Sequence, residues 1–359
     1  MITILYPYKN KELDRLHKSL ISLEKQKNQD FEVLIIDYGS DLEIRDFNIK
    51  ELSNYKNVKY FYSYHINQPW SRPRAINIGI KLSISDYIFT ADIDMIFRED
   101  FTQLLHKLKH PKKSYFFKVG YLSKKESKKE INFKDYKPMH YSELDAQGIS
   151  LFPKEELYNI NGLDEYIHFC GADNDVHNRL VNNGLDAVFF DSDIFILHQW
   201  HKIYANEEKE VFTKKIQLPY VSQINQKLQK FNLENKIIST NLEGSWGKPI
   251  TKEDHQLLEN SSSTFYLSSK ESDILHFLYV MLPRFNNGVL NITFTKEEET
   301  NTFKYKLKKV IGKKVFKYLT IKEISNLVIA HLISFYRNCP YQFIVADNLK
   351  SFNLRILKK

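Results

Sequence analysis

A mostly apolar run opens the chain, Ile2 to Tyr6, the pattern of a strand buried on both faces. From Lys11 to Lys27 the period changes, with Leu13, Leu16, Leu20 and Leu23 recurring at helical spacing. A second strand-like run, Phe31 to Ile36, ends in Asp37-Tyr38-Gly39-Ser40-Asp41, and Val58 to Tyr62 is a third. A polar, Arg-containing segment then leads into a predicted helix over Arg72–Ser83. The strand that follows, Tyr87 to Thr90, stops at Asp92-Ile93-Asp94. This alternation is the βαβ rhythm of a mainly parallel sheet covered on both faces. Beyond Trp200, Glu207–Phe231 and Ser269–Leu282 read as helices, Asn286-Asn287-Gly288 as a turn and Val289–Phe294 as a strand. Ile321, Ile324, Leu327, Val328, Leu332 and Phe335 form a helical stripe, read as core packing in preference to a membrane-surface face.

The 359 residues exceed the usual domain size of roughly 100 to 200, so two domains are expected. A polar segment from Asn235 to Ser263, with Gly244, Gly247, Pro249 and three consecutive serines, reads as the linker. The expected division is therefore 1–235, a linker over 236–263, and a smaller α-rich, basic domain over 264–359. With 42% hydrophobic and 27% charged residues the chain is not of the disordered class. Cys170 and Cys339 lie far apart and form neither a disulfide framework nor a metal spacing, which points to a reducing compartment. The N-terminus MITILYPYKN lacks a basic lead and a cleavage site, and no run of 18 apolar residues occurs, so a cytoplasmic location without a membrane span is expected.

Charge changes the picture once it is located. Residues 301–359 hold 13 Lys/Arg against Glu323 and Asp347, a local +11 beside +8 for the whole chain, which leaves residues 1–300 at −3. Such a tail reads as attraction to an anionic membrane surface, at about 1 kcal/mol per basic residue, placing the protein peripherally on the inner face of the membrane. Nucleic acid is not expected, because no zinc, RNP-type or helix-turn-helix signature accompanies the charge.

The order of elements puts Asp92 and Asp94 at the carboxyl end of a strand, where ligands of open α/β sheets collect. Paired hard oxygen ligands there suit Mg²⁺ or Mn²⁺ with a phosphate bound to it. Ile93 between them points into the core, and Asp37, at another strand end, opens into the same crevice. Asp-x-Asp recurs at Asp173/Asp175 and at Asp191/Asp193, the latter read as turn or solvent residues. Asp173 falls in the first turn of a helix predicted to run to Asn183, where the macrodipole favours the ionised form and tends to lower its pKa. His198 and His201, three apart after an apolar run, add imidazoles. Arg72 and Arg74 offer guanidinium forks that match paired phosphate oxygens. Trp70 and Trp200 offer ring faces to sugars.

Three blocks then occur in order: WSRPRAINIGI with DYIFTADIDMIF, Ala146 to Phe152, and NINGLDEYIHFCGADNDVHNRLVNNG. Together they resemble a GT-A glycosyltransferase of the family 2 type, similar to the chondroitin-polymerase and β-1,4-galactosyltransferase group, over roughly residues 1–201. The resemblance implies a GT-A mixed sheet flanked by helices. It implies inverting transfer from a UDP-sugar to a hydroxyl of a glycan or lipid-linked glycan acceptor, in surface-polysaccharide assembly, with Mn²⁺ or Mg²⁺ as cofactor. By residue, it implies Asp173 as catalytic base. Pro7, Tyr8 and Asp37 would meet the nucleobase, Asp92 the ribose or the metal, and Arg72 and Arg74 the diphosphate, with Asn77 also among the nucleotide-sugar-binding residues. Asp94, His198 and His201 would hold the metal, with Gln147, Gly148, Asp175 and Trp200 on the acceptor side. Ala172 stands where the family carries Glu, so that contact to the acceptor is absent here, and Cys170-Gly171 replaces the family's Trp or Gly. Two other classes remain beside it: a carbohydrate-binding scaffold that has lost turnover, and a sugar nucleotidyltransferase, whose Gly-rich N-terminal loop this chain lacks.

Overall fold

The computed structural model describes residues 1–144, 147–202, 211–216, 218–243, 245–261, 264–297, 307, 310–311 and 315–359. The chain forms two compact units, one of Met1–Ser63, Trp70–Ala205 and Val221–Pro249, the other of Tyr64–Pro69, Asn206–Tyr220 and Ile250–Lys359.

The first unit runs β1 (Ile2–Tyr8), α1 (Leu13–Glu24), β2 (Phe31–Tyr38), α2 (Leu42–Leu52), β3 (Val58–Ser63), α3 (Arg72–Leu82), β4 (Tyr87–Thr90), β5 (Met95–Phe97) and α4 (Phe101–Leu108). It continues with β6 (Lys113–Phe117), β7 (Val119–Tyr121), α5 (Lys124–Ser127), β8 (His140–Tyr141), β9 (Ser150–Pro153), α6 (Lys154–Asn159), α7 (Ala172–Asn182), β10 (Asp186–Phe190), β11 (Ile196–His198) and α8 (Val221–Glu234). Among the described residues, seven strands form a sheet in the order β10-β6-β9-β4-β1-β2-β3, and β5-β11-β7-β8 form a smaller one. β1 is parallel to β2 and β4, whereas β9 runs antiparallel between β4 and β6. The mixed sheet flanked by helices is the expected α/β class.

Periodicity explains the two cores. The leucines of α1, at 13, 16, 20 and 23, are buried with Ile2, Ile4, Tyr6 and Phe31 on one face of the sheet. On the other face, Leu5 and Ile36 pack with Ile76, Ile80 and Leu180 from α3 and α7. Full burial of such a side chain is worth roughly 1.5–3 kcal/mol, so these faces hold the three helices to the sheet. α3 starts where Ser71 accepts from the Arg74 N–H, with Pro73 in its first turn. Gly79 lets α3 approach β1: a Cβ there would fall 2.1 Å from Leu5 Cδ1. α7 is pinned by fully buried His177, whose ring nitrogens lie 3.2 Å from Ser114 Oγ and 2.9 Å from Ser150 Oγ. Burial lowers the pKa of His177 to about 3, so this tie between α7, β6 and β9 is made by the neutral ring.

The short strands β5, β7 and β8 carry no period of their own and become strands only through their neighbours. The helix expected over Glu207–Phe231 is observed as Val221–Glu234, and residues 207–210 and 217 of that expectation lie outside the described residues.

In the second unit, among the described residues, β12 (Phe265–Leu267), β13 (Gly288–Thr295), β14 (Tyr341–Val345) and β15 (Ser351–Lys358) form a sheet in the order β12-β13-β15-β14. The α-rich expectation is thus corrected to a mixed unit. Phe352, Leu354 and Ile356 of β15 are buried at period two, while the Lys and Arg between and around them conceal the strand in a charge-based reading. The helical stripe is observed as Ile321–Phe335, with a Thr320–Glu323 capping box. It buries Ile321, Ile324, Val328 and Leu332 but leaves Leu327 and Phe335 exposed. The first unit ends at Pro249, inside the segment expected as a linker, and Lys252–Glu259 of that segment is a helix. Among the described residues no helix is long and apolar enough to cross a membrane. In the basic stretch, residues 301–306, 308–309 and 312–314 lie outside the described residues.

Candidate active site

Because β1, β2 and β4 are parallel, their carboxyl ends share one rim. Antiparallel β9 then brings the residues entering it, Gln147 and Gly148, to the same rim. Gly171, at φ 93°, turns the chain into α7, and Asp173 follows in the first helical turn. Arg72, at the start of α3, joins these pieces. Its Nε donates to Asp92 Oδ1 at 3.2 Å, its Nη2 to the Gly148 carbonyl at 2.9 Å, and its Nη1 to Asp173 Oδ1. Four predicted site residues, scattered over residues 72 to 173, thereby meet on one guanidinium.

Burial alone would lower the Arg72 pKa, but the carboxylates of Asp173 and Asp92 more than reverse this and hold the cation charged. Burial raises Asp173, Arg72 pulls it back down, and the net shift is upward. The lowering expected from the helix terminus is corrected here: desolvation outweighs the dipole. A Cβ at Gly148 would lie 3.3 Å from Asp173 Oδ2, so the absence of a side chain at 148 keeps that oxygen unobstructed.

A second cluster adjoins the first. Asp94 follows β4 and leads into β5, which pairs antiparallel with β11 so that His198 lies opposite Met95. The result places His198 Nε2 3.7 Å and His201 Nε2 3.4 Å from the Asp94 carboxylate. Among the described residues, one ligand atom from each of Asp94, His198 and His201 lies within 4.8 Å of the others. Asp94 is 7% exposed, and its Oδ1 is buried with no hydrogen-bond partner among the described residues. Burial raises the Asp94 pKa, with His198 opposing, and lowers that of His198, with Asp94 opposing. A buried carboxylate oxygen with no donor, facing two imidazoles, is a donor set that a divalent cation fits.

Other expected residues are placed elsewhere. Arg74 is buried, 3.5 Å from Glu165, with Tyr38 beneath its guanidinium. Asn77 is fully buried, donating to the Leu163 carbonyl at 2.8 Å and to Glu165 Oε1 at 3.0 Å. Asp175 is buried in the opposite direction from Asp173, bound by Arg179 Nε at 2.7 Å and Asn232 Nδ2 at 2.7 Å. These three are corrections: their polar atoms are consumed by the core, where an unpaired charge would cost several kcal/mol. Asp37 is likewise fully buried, accepting from the Ser40 N–H at 2.7 Å and from the Tyr60 hydroxyl, which holds the turn after β2 and closes it to the crevice. Pro7 and Tyr8 end β1 as expected but are buried, the Tyr8 hydroxyl donating to the Lys11 carbonyl. The Gln147 side chain donates to the Leu144 carbonyl at 3.3 Å. Trp200 is 41% exposed, with Lys124 Nζ 5.1 Å from its ring centre. Asp193 pairs with Arg98 at 2.6 Å, the turn role expected for it.

Two residues escaped the sequence reading. Lys9 follows β1 directly, and burial lowers its pKa to about 8 against the pull of Asp37 and Asp41; its position next to Tyr8 was the available signal. Tyr121 lies with its ring 5.0 Å from that of His198, a contact set by cross-strand register that no local spacing announces.

Residues 3–156 match the family described as glycosyl transferase family 2, a span from β1 into α6 that includes Arg72, Asp92, Asp94 and Gly148. No curated protein matches the chain. Among solved structures, S. aureus TarS is similar at 13% identity and a TM-score of 0.46, covering 79% of this chain and 45% of that one. A mannosyltransferase from Pyrobaculum calidifontis, solved with GDP-Man and Mn²⁺, is similar at 15% identity and a TM-score of 0.41, covering 57% of this chain and 58% of that one. The chain thus spans about half the length of each of these two proteins.

Proposed function

We infer how this chain, a glycosyltransferase with a GT-A domain of family 2, carries out transfer: a UDP-sugar is the donor, a glycan or lipid-linked glycan hydroxyl the acceptor, and the reaction inverts. The carrying observation is that Arg72 gathers Asp92, Asp173 and the Gly148 carbonyl beside the Asp94, His198 and His201 cluster. Asp94, His198 and His201 would hold Mn²⁺ or Mg²⁺. When bound, that ion serves as Lewis acid and charge clamp for the diphosphate leaving group. The fork of Arg72 is the group that pairs with the diphosphate, and Asp92 lies beside it. Asp173 takes the proton of the acceptor hydroxyl, a weak nucleophile at neutral pH. Gly148 leaves space at this carboxylate, and Gln147 and Trp200 are proposed on the acceptor side. Likeness to the chondroitin-polymerase and β-1,4-galactosyltransferase group motivates the choice of donor.

The test is a panel of labelled UDP-sugars incubated with the protein and Mn²⁺. UDP release from one of them, lost with EDTA and restored by added metal, is the expected result. Turnover indifferent to EDTA would remove the metal from the mechanism, and release of pyrophosphate would assign a different reaction.

Residues 1–235 are proposed as the transfer domain and 264–359 as a separate basic module, joined through 236–263, with a peripheral place on the cytoplasmic face of a membrane. Deleting residues 301–359 would remove β14 and β15 from their sheet, so charge neutralisation is the cleaner test. Changing Lys304, Lys306, Lys308, Lys309, Lys313 and Lys314 to Gln is expected to lower partition onto vesicles containing anionic lipid by at least about tenfold, at about 1 kcal/mol per basic residue near the surface. Unchanged partition would assign the charge another role.

A further inference from the structure

His198 and His201 reach Asp94 by different means. β11 ends at His198, whose place follows from pairing with Met95 on one side and Tyr121 on the other. His201 lies beyond the strand, so its position depends on how residues 198–201 are tied down. The ties run to a different element at each step. The His198 carbonyl accepts from the Leu122 N–H at 2.9 Å, just past β7. The Gln199 N–H donates to the Asp94 carbonyl at 2.9 Å, and its Nε2 donates to the Arg15 carbonyl of α1 at 3.0 Å. The Trp200 N–H donates to Ser127 Oγ at 2.7 Å, at the end of α5.

Gln199 is the centre of this arrangement. It is 2% exposed, its main chain grips the residue that carries the carboxylate, and its side chain fixes both to α1. We propose that Gln199 is a positioning residue for the cation site, holding His198 and His201 against Asp94 while touching no ion itself. The proposal rests on the reading of those three residues as the cation site. Groups that orient metal ligands from behind typically control affinity by 10- to 100-fold, because ligand atoms must be held to within a fraction of an ångström.

Gln199→Leu keeps the approximate volume and removes the Nε2 donor. The readout is the Mn²⁺ dissociation constant of the nucleotide-free protein, from the electron paramagnetic resonance signal of unbound Mn²⁺, alongside the thermal midpoint without metal. The expected result is a dissociation constant raised about 10- to 100-fold in a protein that remains folded. A merely structural residue would lower the midpoint and leave the affinity of the folded protein unchanged, and that outcome would overturn the proposal. Ser127→Ala removes the next tether at a partly exposed site, and it is expected to weaken Mn²⁺ in the same direction. It decides the matter if the Leu variant does not fold, since unaltered affinity there would count equally against the tether. Failure of the unsubstituted protein to bind Mn²⁺ would instead sink the cation site, and the tether with it.

Discussion

Asp173→Asn is expected to lower kcat for sugar transfer by about 10²- to 10⁴-fold, the usual worth of a positioned general base. Asn keeps the shape and can still accept from Arg72 through its amide oxygen, so the dissociation constant for UDP should change little. Steady-state kinetics with UDP titration separate the two quantities, and transfer at the parental rate would exclude Asp173 as the base. The pH dependence follows from the same group. Burial holds the Asp173 pKa above the ordinary carboxylate range, although Arg72 restrains the rise. A base acts only when ionised, so activity is lost as pH falls through this raised value. The acid limb of the kcat/KM profile should therefore lie above that of an unperturbed aspartate. Arg72→Gln removes the restraint and should move the limb to higher pH, in addition to weakening donor binding.

Asp94→Asn is expected to reduce Mn²⁺-dependent UDP release by on the order of 10³-fold, since charge stabilisation by a bound metal is worth several kcal/mol and each 1.36 kcal/mol is tenfold. Stability should move the other way. Asp94 buries a carboxylate oxygen without a hydrogen-bond donor, and burial raises its pKa, so at neutral pH the metal-free protein bears the cost of a desolvated charge. The neutral amide relieves that cost. The thermal midpoint without metal should hold or rise, while the increase that Mn²⁺ gives the parent by binding the native state should disappear. A variant that keeps both the Mn²⁺-induced increase and the activity would show that the ion sits elsewhere.

These expectations divide by what local pattern can encode. Ile2–Tyr8, Arg72–Leu82, Tyr87–Thr90 and Ile321–Phe335 were legible because each displays its own period and its own cap or turn. The placement of Asp92 and Asp94 just past a strand was legible for the same reason. Short β5 and β7, which deliver Asp94 and Tyr121 to the histidines, have three residues each and no period to read. Gln199 gives no local signal, because its meaning lies in the carbonyl of Arg15, 184 positions away.

Two of the displaced site residues, Arg74 and Asp175, share one geometry. The sequence pattern assigns Arg72 with Arg74 to the diphosphate and Asp173 with Asp175 to the acceptor, but both pairs lie on helices. Residues two apart on a helix point about 200° away from each other, at 3.6 residues per turn. One member of each pair meets the rim and the other enters the core: Arg72 against Arg74, Asp173 against Asp175. Sequence by itself determined the strands and helices that carry their own pattern and that acids end a parallel strand, since these depend on the order of neighbouring residues. Only the tertiary structure decided which charge of each pair faces the crevice, because that is set by the side on which α3 and α7 pack against the sheet.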